Sequence, residues 1–496
     1  MKNCKEMTAR VLERRDAYVA GQRKTRKTAM RITSAVCAFA VVAAVGVGLW
    51  RGGVLTPHLP SLEEPNMGTS DKEQPTAPPI TIEKDYALAE PRYPEMVQRP
   101  VEYEQEAHDA WWYGVREQRA QIGDHGDGMT DYYAATMKQF LAGEAGENRV
   151  YSPLNLYLAL AMLAETTEGD SRQQILDLLG AEDLPALRER CSGLWNGVYL
   201  DDGAVVSRLA NSLWLAKSDR WQYDTDTVKR LADRYYASVF RGEMGSADYD
   251  RALQDWLNQQ TNGLLKQQAE GLSFDPDTAL ALASTICFQA KWNEWFSAER
   301  TAPAVFHTAG GDVTCDFLHD TTSGMAYFGD KFTRVSRSLD DGAYSMEFYL
   351  PKEGVTAEEL VSDPQFFEAM NHYEMQDNEK YLEIRLSVPK FDVTSDRDLK
   401  AGLQALGVTD VFDFEKSDFG GIFAEQTEPV KLDKVQHAAR VAIDEEGVTA
   451  AAYTVEILCG AGAPSDVLDF TLDRPFVFAI TGPGNTVLFS GVVENP

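Results

Sequence analysis

Serine, cysteine, histidine and carboxylate side chains can do covalent or metal chemistry, and in this 496-residue chain none falls into a spacing that does. There is no G-x-S-x-G, no H-E-x-x-H, no P-loop and no G-x-G-x-x-G. The seven histidines are scattered. The six cysteines (Cys4, Cys37, Cys191, Cys287, Cys315 and Cys459) form no C-x-x-C pair and show no zinc-ligand spacing. The last four are too far apart to resemble a disulfide framework, and Cys459, in a Gly-rich stretch, reads as a tolerated loop residue, with a free thiol open to oxidation as the alternative. No metal, cofactor or enzymatic activity is expected. The formal net charge of -30 argues against nucleic acid as a partner.

The charge is unevenly placed. Residues 1–31 hold ten Lys/Arg and three Asp/Glu, about +7, which leaves about -37 for the rest. Residues 32–50, ITSAVCAFAVVAAVGVGLW, carry no charge and would span about 28 Å as a helix, close to a bilayer's hydrocarbon thickness. The preceding basic cluster puts the N-terminus in the cytoplasm and the rest outside. A transmembrane anchor is the expectation, and a cleaved signal peptide with a secreted product is the alternative. Residues 51–127 are rich in Pro and acidic residues and read as a linker, with a short helix near Trp111, Trp112 and Tyr113.

From residue 128 the chain reads as one globular domain. Apolar spacing predicts helices over 131–143 and 154–167, the second apolar on every side, and over 171–180, ended by Gly180. Strand patterns follow at 205–216, 344–351, 381–391, 437–444 and 475–481. Helices early and strands late predict an α+β domain.

Several blocks within this domain resemble the serpin family. They are NRVYSPLNLYLALAMLAETTEGDSRQQI (148–175), ANSLWLAK (210–217), TNGLLK (261–266) and LASTICFQAKWNEWF (282–296). VPKFDVTSDRDLKAGLQALGVTDVFD (388–413), VKLDKVQHAARVAIDEEGVTAAA (430–452) and FTLDRPFVFAITGPGNTVLFSGVVENP (470–496) continue the series in order. The resemblance implies a serpin domain over 128–496, with three β-sheets, eight or nine helices and an exposed reactive-centre loop. It implies a monomeric inhibitor of serine proteases that acts as a suicide substrate. A protease acylated on the loop would be carried across the molecule as the cleaved loop inserts into the large sheet. Roughly ten or more new backbone hydrogen bonds at about 1 kcal/mol each, with side-chain burial, would supply on the order of 10 kcal/mol or more. The uncleaved fold would then be kinetically trapped. The anchored layout fits a bacterial surface protein better than a secreted animal one.

The resemblance also assigns residues. The loop hinge is Glu445, Glu446, Gly447, Val448, Thr449, Ala450, Ala451 and Ala452. Its glycine is free in its dihedrals, and its small or β-branched run suits a segment that becomes a central strand. Counting along the loop puts the scissile bond after Ala461, before Gly462, with Leu458, Cys459 and Gly460 as alternatives. A small residue there would suit elastase- or subtilisin-like proteases, and Leu458 chymotrypsin-like ones. No Lys or Arg occurs in 445–473, so trypsin-like targets are not expected. Alternation from Val448 turns Glu456 inward on insertion, and an unpaired carboxylate opposes burial. That departure keeps a non-inhibitory surface-binding serpin as the alternative. For sheet opening, Ser152, Asn155 and His437 match positions that form a polar cluster beneath the opening sheet, and Trp292 matches a tryptophan near the point where the loop first enters.

Overall fold

The computed structural model describes residues 86–101, 104–143, 146–340, 342–370, 378–424, 428–432, 435–448 and 466–496. At its centre is α3 (Pro153–Thr166), in which every residue but Ala159 is buried. A helix with no polar face must be enclosed on all sides. It packs against strands β6 (Leu280–Lys291) and β17 (Val487–Val493), and against helices α4 (Gly169–Leu179), α5 (Leu184–Val198) and α6 (Thr225–Tyr235). Its start is set locally: Pro153 occupies the first turn and the Ser152 hydroxyl accepts the Asn155 amide at 3.1 Å. Gly180 ends α4 in the left-handed conformation, φ 60°, which a residue without Cβ adopts freely.

Among the described residues there are eleven α-helices. The count exceeds the eight or nine expected because pieces such as Lys266–Ala269 and Ala357–Leu360 are single turns. Three sheets flank α3. The six-stranded sheet runs β1 (Ala87–Ala89), β5 (Ala237–Gly242), β4 (Val206–Ala216), β6 and β14 (Gly447–Val448), with the short β3 (Leu200–Asp201) paired to β4. A nine-stranded sheet contains β9 (Phe332–Leu339), β10 (Tyr344–Pro351), β11 (Glu379–Pro389), β15 (Val467–Thr471) and β17. A two-stranded sheet pairs β12 (Asp392–Asp398) with β13 (Gln436–Ala442). The strands expected at 205–216, 344–351, 437–444 and 475–481 all form within two residues of those bounds.

Residues 86–127 differ from the expected linker. Ala87 and Ala89 add an antiparallel strand to β5, and the short helix expected near Trp111 forms as α1 (Gln105–Ala120), 16 residues long, which buries Trp111 against the domain. The average composition of 51–127 hides this, because Tyr86, Tyr93 and Trp111 supply concentrated apolar surface. The basic tail 1–31 and the apolar span 32–50 lie outside the described residues. Among the described residues no helix is long and apolar enough to cross a membrane. Cys191, Cys287 and Cys315 are free thiols.

A buried carboxylate fixes α3 to its helical neighbours. Glu165 meets the Arg188 guanidinium of α5, with Nη2 at 2.9 Å, and Arg230 of α6 at 3.3 Å, and it accepts the Tyr235 hydroxyl at 2.9 Å. Its side chain is 1% exposed, so removing it takes the shared carboxylate from two half-buried arginines and leaves the buried Tyr235 hydroxyl without its acceptor. Glu165→Ala is expected to lower stability of the uncleaved protein by about 3 kcal/mol. A shifted urea midpoint would register it, and Glu165→Gln, which keeps an acceptor, should lose less.

Candidate functional site

The hinge is built by a tight reversal at the end of β13. Ile443 forms an antiparallel bridge with Val448, and the Asp444 amide donates to the Gly447 carbonyl at 3.0 Å. The Asp444 carboxylate accepts the amides of Glu446 at 2.9 Å and Gly447 at 3.0 Å, a turn of the kind Asp favours. The chain then lies against β6, with Gly447 opposite Lys291 and Val448 opposite Ala290. Val448 is buried, as an inward-facing strand residue would be. Gly447 is required for a reason other than free dihedrals, since it is not left-handed. A Cβ there would collide with the Ala290 carbonyl and lie 2.7 Å from Lys291 Cα. Close backbone approach is what demands glycine.

Trp292 holds this turn. Its indole N–H donates to the Asp444 carbonyl at 2.8 Å and its amide to the Glu446 carbonyl at 3.0 Å, while the Phe296 amide donates to the Glu445 carbonyl at 2.9 Å. The Glu445 carboxylate accepts from Lys390 Nζ at 2.9 Å and from the Thr301 hydroxyl at 2.8 Å. Burial alone would raise its pKa. The hydrogen bonds from Lys390, the backbone and Thr301 outweigh burial and hold the carboxyl below its ordinary range.

Ser152, Asn155 and His437 form a separate cluster beneath the sheet. The start of α3 reaches both strands above it. The Ser152 amide donates to His437 Nε2 on β13 at 3.1 Å, and Asn155 Nδ2 donates to the Ser284 carbonyl on β6 at 3.0 Å. The Ser284 hydroxyl sits between the carboxamides of Asn155 and Asn211, 2.7 Å from Asn211 Oδ1. Asn211 Nδ2 in turn donates to the Tyr235 carbonyl at 2.8 Å. A cavity of about 30 Å³ lies between the strands, lined by Leu282 and Ser284 of β6 and by Gln436 and His437 of β13. Among the described residues, no ladder joins β6 to β13. β6 pairs with β4 along one edge, and along the other only Ala290 and Lys291 are paired, to the hinge. β13 has only β12 as a ladder partner. Two free strand edges therefore face each other across a slot whose entrance already holds the first two residues of the loop.

Of the predicted residues, Glu445, Glu446, Gly447, Val448 and Trp292 are brought together at the entrance, and Ser152, Asn155 and His437 meet under the middle of the slot. Trp292 thus lies at the hinge, where the loop enters, as the resemblance implies. The residues 449–452 and the candidate cleavage positions 458–462 lie outside the described residues, as does Glu456. Sequence reading missed Lys390, Thr301 and Asp444 at the hinge and Ser284 and Asn211 below the slot. Lys390 and Ser284 lie inside the quoted blocks VPKF and LASTICF, but only folding shows what they touch.

Burial pushes the His437 pKa down to about 4. Its ring is a neutral acceptor, with the proton on Nδ1. The unfolded state therefore binds the proton first, near pH 6.5. The contribution is fully present above about pH 6.5 and is lost as pH falls towards 4. It comes to about 3 kcal/mol. Denaturation midpoints measured from pH 7 to pH 4 are expected to fall across this window, and His437→Gln should flatten that slope.

A family model described as "Serpin (serine protease inhibitor)" matches residues 128–496. Plasminogen activator inhibitor 1 of Sus scrofa is 26% identical over 396 residues, which cover 74% of this chain and 91% of that protein. The leukocyte elastase inhibitor of Sus scrofa is 27% identical over 365 residues, covering 70% and 93%. The solved structure of tengpin, a thermophilic serpin in its native state, matches the fold with a TM-score of 0.67 at 23% identity, over 74% of this chain and 93% of that one. The ordered blocks, the hinge seated at the mouth of a strand-wide slot and the matched family model lead to one conclusion: this chain belongs to the serpin family.

Proposed function

We propose that this protein inhibits serine proteases as a suicide substrate. The target's serine hydroxyl adds to the carbonyl of the residue before the scissile bond, the peptide C–N bond breaks, and the new amino terminus leaves as an amine. An acyl ester then joins protease and loop. The observation that carries this reading is the slot between β6 and β13, with Gly447 and Val448 already paired at its mouth. Cleavage after Ala461 would free residues 447–461, a strand of about 50 Å. β6 has twelve residues, about 40 Å, so the freed segment is long enough to fill the slot. Loop edges would pair with both strands, which explains how insertion could outrun hydrolysis of the ester.

Target choice follows the loop. Ala461, or its neighbours Cys459 and Gly460, suits elastase- or subtilisin-like enzymes, and Leu458 suits chymotrypsin-like ones. A relative carries the name leukocyte elastase inhibitor. Glu456 supports a second reading, a non-inhibitory surface-binding serpin, because a carboxylate at an inward position resists insertion. We also infer that residues 32–50 anchor the protein with the serpin domain outside the cell, and that the acidic domain is held off the membrane by the chain that follows.

Mixing the protein with an elastase- or subtilisin-like protease should yield a complex that survives SDS, and cleaving the loop should raise the melting temperature sharply. If the protease leaves active and the cleaved protein melts as before, the inhibitory reading fails and the binding reading stands. For the anchor, protein retained on membranes through an alkaline carbonate wash is expected. Release by the wash would remove that inference.

A further inference from the structure

Residues 86–127 precede the region matched by the family, yet they cross between the two large sheets. Their first part rides on the six-stranded sheet. The Arg241 amide donates to the Tyr86 carbonyl at 2.8 Å, and Ala87 and Ala89 pair with Phe240 and Val239 of β5. The Tyr93 ring stacks on Trp195 at 5.5 Å, Tyr199 at 5.8 Å and Tyr236 at 6.4 Å. The later part reaches the nine-stranded sheet, where Gly126 and Ile122 lie against Gly484 in the turn before β17.

Arg99 contacts both sheets. Its amide donates to the Asp202 carbonyl at 2.8 Å, in the turn between β3 and β4 of the six-stranded sheet. Its guanidinium lies over the Trp111 ring at 4.7 Å and forms an ion pair with Asp340, in the turn between β9 and β10 of the nine-stranded sheet. Trp111 is itself fixed, its indole N–H donating to Asp202 Oδ2 at 2.8 Å. The Arg99 and Asp340 side chains are 14% and 8% exposed. Pairs this sheltered matter, because breaking one strands a charge, whereas an exposed pair contributes little. The Asp340 amide donates at 2.7 Å to the carbonyl of Lys291, the β6 residue opposite Gly447.

We propose that residues 86–101 and 104–127 form an intramolecular strap that slows loop insertion, with the Arg99–Asp340 pair as its latch. Admitting a strand between β6 and β13 requires β6, β4 and β5 to move together away from β13. The strap is fixed to that moving block at β5 and at Asp202, and to the other sheet at Asp340 and Gly484. Opening the slot must therefore shear the strap, and the latch sits next to the hinge residues that move first. A restraint present in the closed sheet and lost in the opening transition state sets the rate of opening.

This inference rests on the loop-insertion reading above, and the experiment separates the two. The full chain and its Arg99→Gln and Asp340→Asn variants are incubated without protease at a raised temperature. Conversion to a heat-resistant form with a protease-resistant loop is followed with time. Each variant is expected to convert about tenfold faster than the parent, and the double variant no faster than either single one, since both remove the same pair. Arg99→Lys, which keeps the charge, should restore most of the delay. If Arg99→Gln does not fold, Asp340→Asn gives the same readout from a turn position. Equal rates in parent and variants, with the parent still gaining thermal stability on loop cleavage, overturn the strap alone. No such gain in the parent overturns the insertion reading and the strap with it.

Discussion

Among the described residues, two strand edges, one on β6 and one on β13, face each other without a ladder between them, and the rest of the molecule is arranged around that opening. Backbone N–H and C=O groups along such edges seek partners, and a sheet with free edges in its middle is a high-energy arrangement. The fold tolerates it because α3 runs beneath and hydrogen-bonds both sides, Ser152 to His437 on β13 and Asn155 to Ser284 on β6. Those bonds cross the opening without filling it. The buried helix that makes them is held by the Glu165 cluster to α5 and α6, so the clamp rests on a rigid support.

The mouth of the opening is where stability and reactivity meet. Glu445 is tied to Lys390 and Thr301, and Trp292 grips the backbone of Asp444 and Glu446. Beyond that turn, Gly447 and Val448 have taken the first two positions of a strand. The geometry commits the loop's root to the slot, and the chain is fixed again where β15 pairs in parallel with β11. A loop held at both ends is restrained from inserting, so insertion of the uncut chain would be slow. In the proposed inhibitory mechanism, cutting it would remove one restraint and so act as the trigger.

Much of this was legible from residue order. The apolar run 154–167 had to be enclosed because it offers no polar face, and the alternating runs at 344–351 and 437–444 had to be strands. Blocks such as VPKFDVTSDRDLK and DEEGVTAAA carried the family resemblance and, through it, the hinge. What the sequence misjudged was local context. Residues 86–127 read as linker because Pro and acidic residues dominate the average, while three aromatic side chains decide the packing. Gly447 read as a flexible residue, whereas its role comes from a carbonyl on another strand, 157 positions away in the chain at Ala290.

By itself, then, the sequence determined the class of fold and the charge asymmetry of the N-terminal region, which follow from periodicity and composition read along the chain, and the family resemblance of its ordered blocks implied where the hinge lies. Only the tertiary structure decided which backbone groups Trp292 grips at the hinge, that Lys390 and Thr301 hydrogen-bond the Glu445 carboxylate, and that Arg99 joins two sheets. Those facts depend on contacts between residues tens to hundreds of positions apart, and no local pattern encodes which distant partner a side chain will meet.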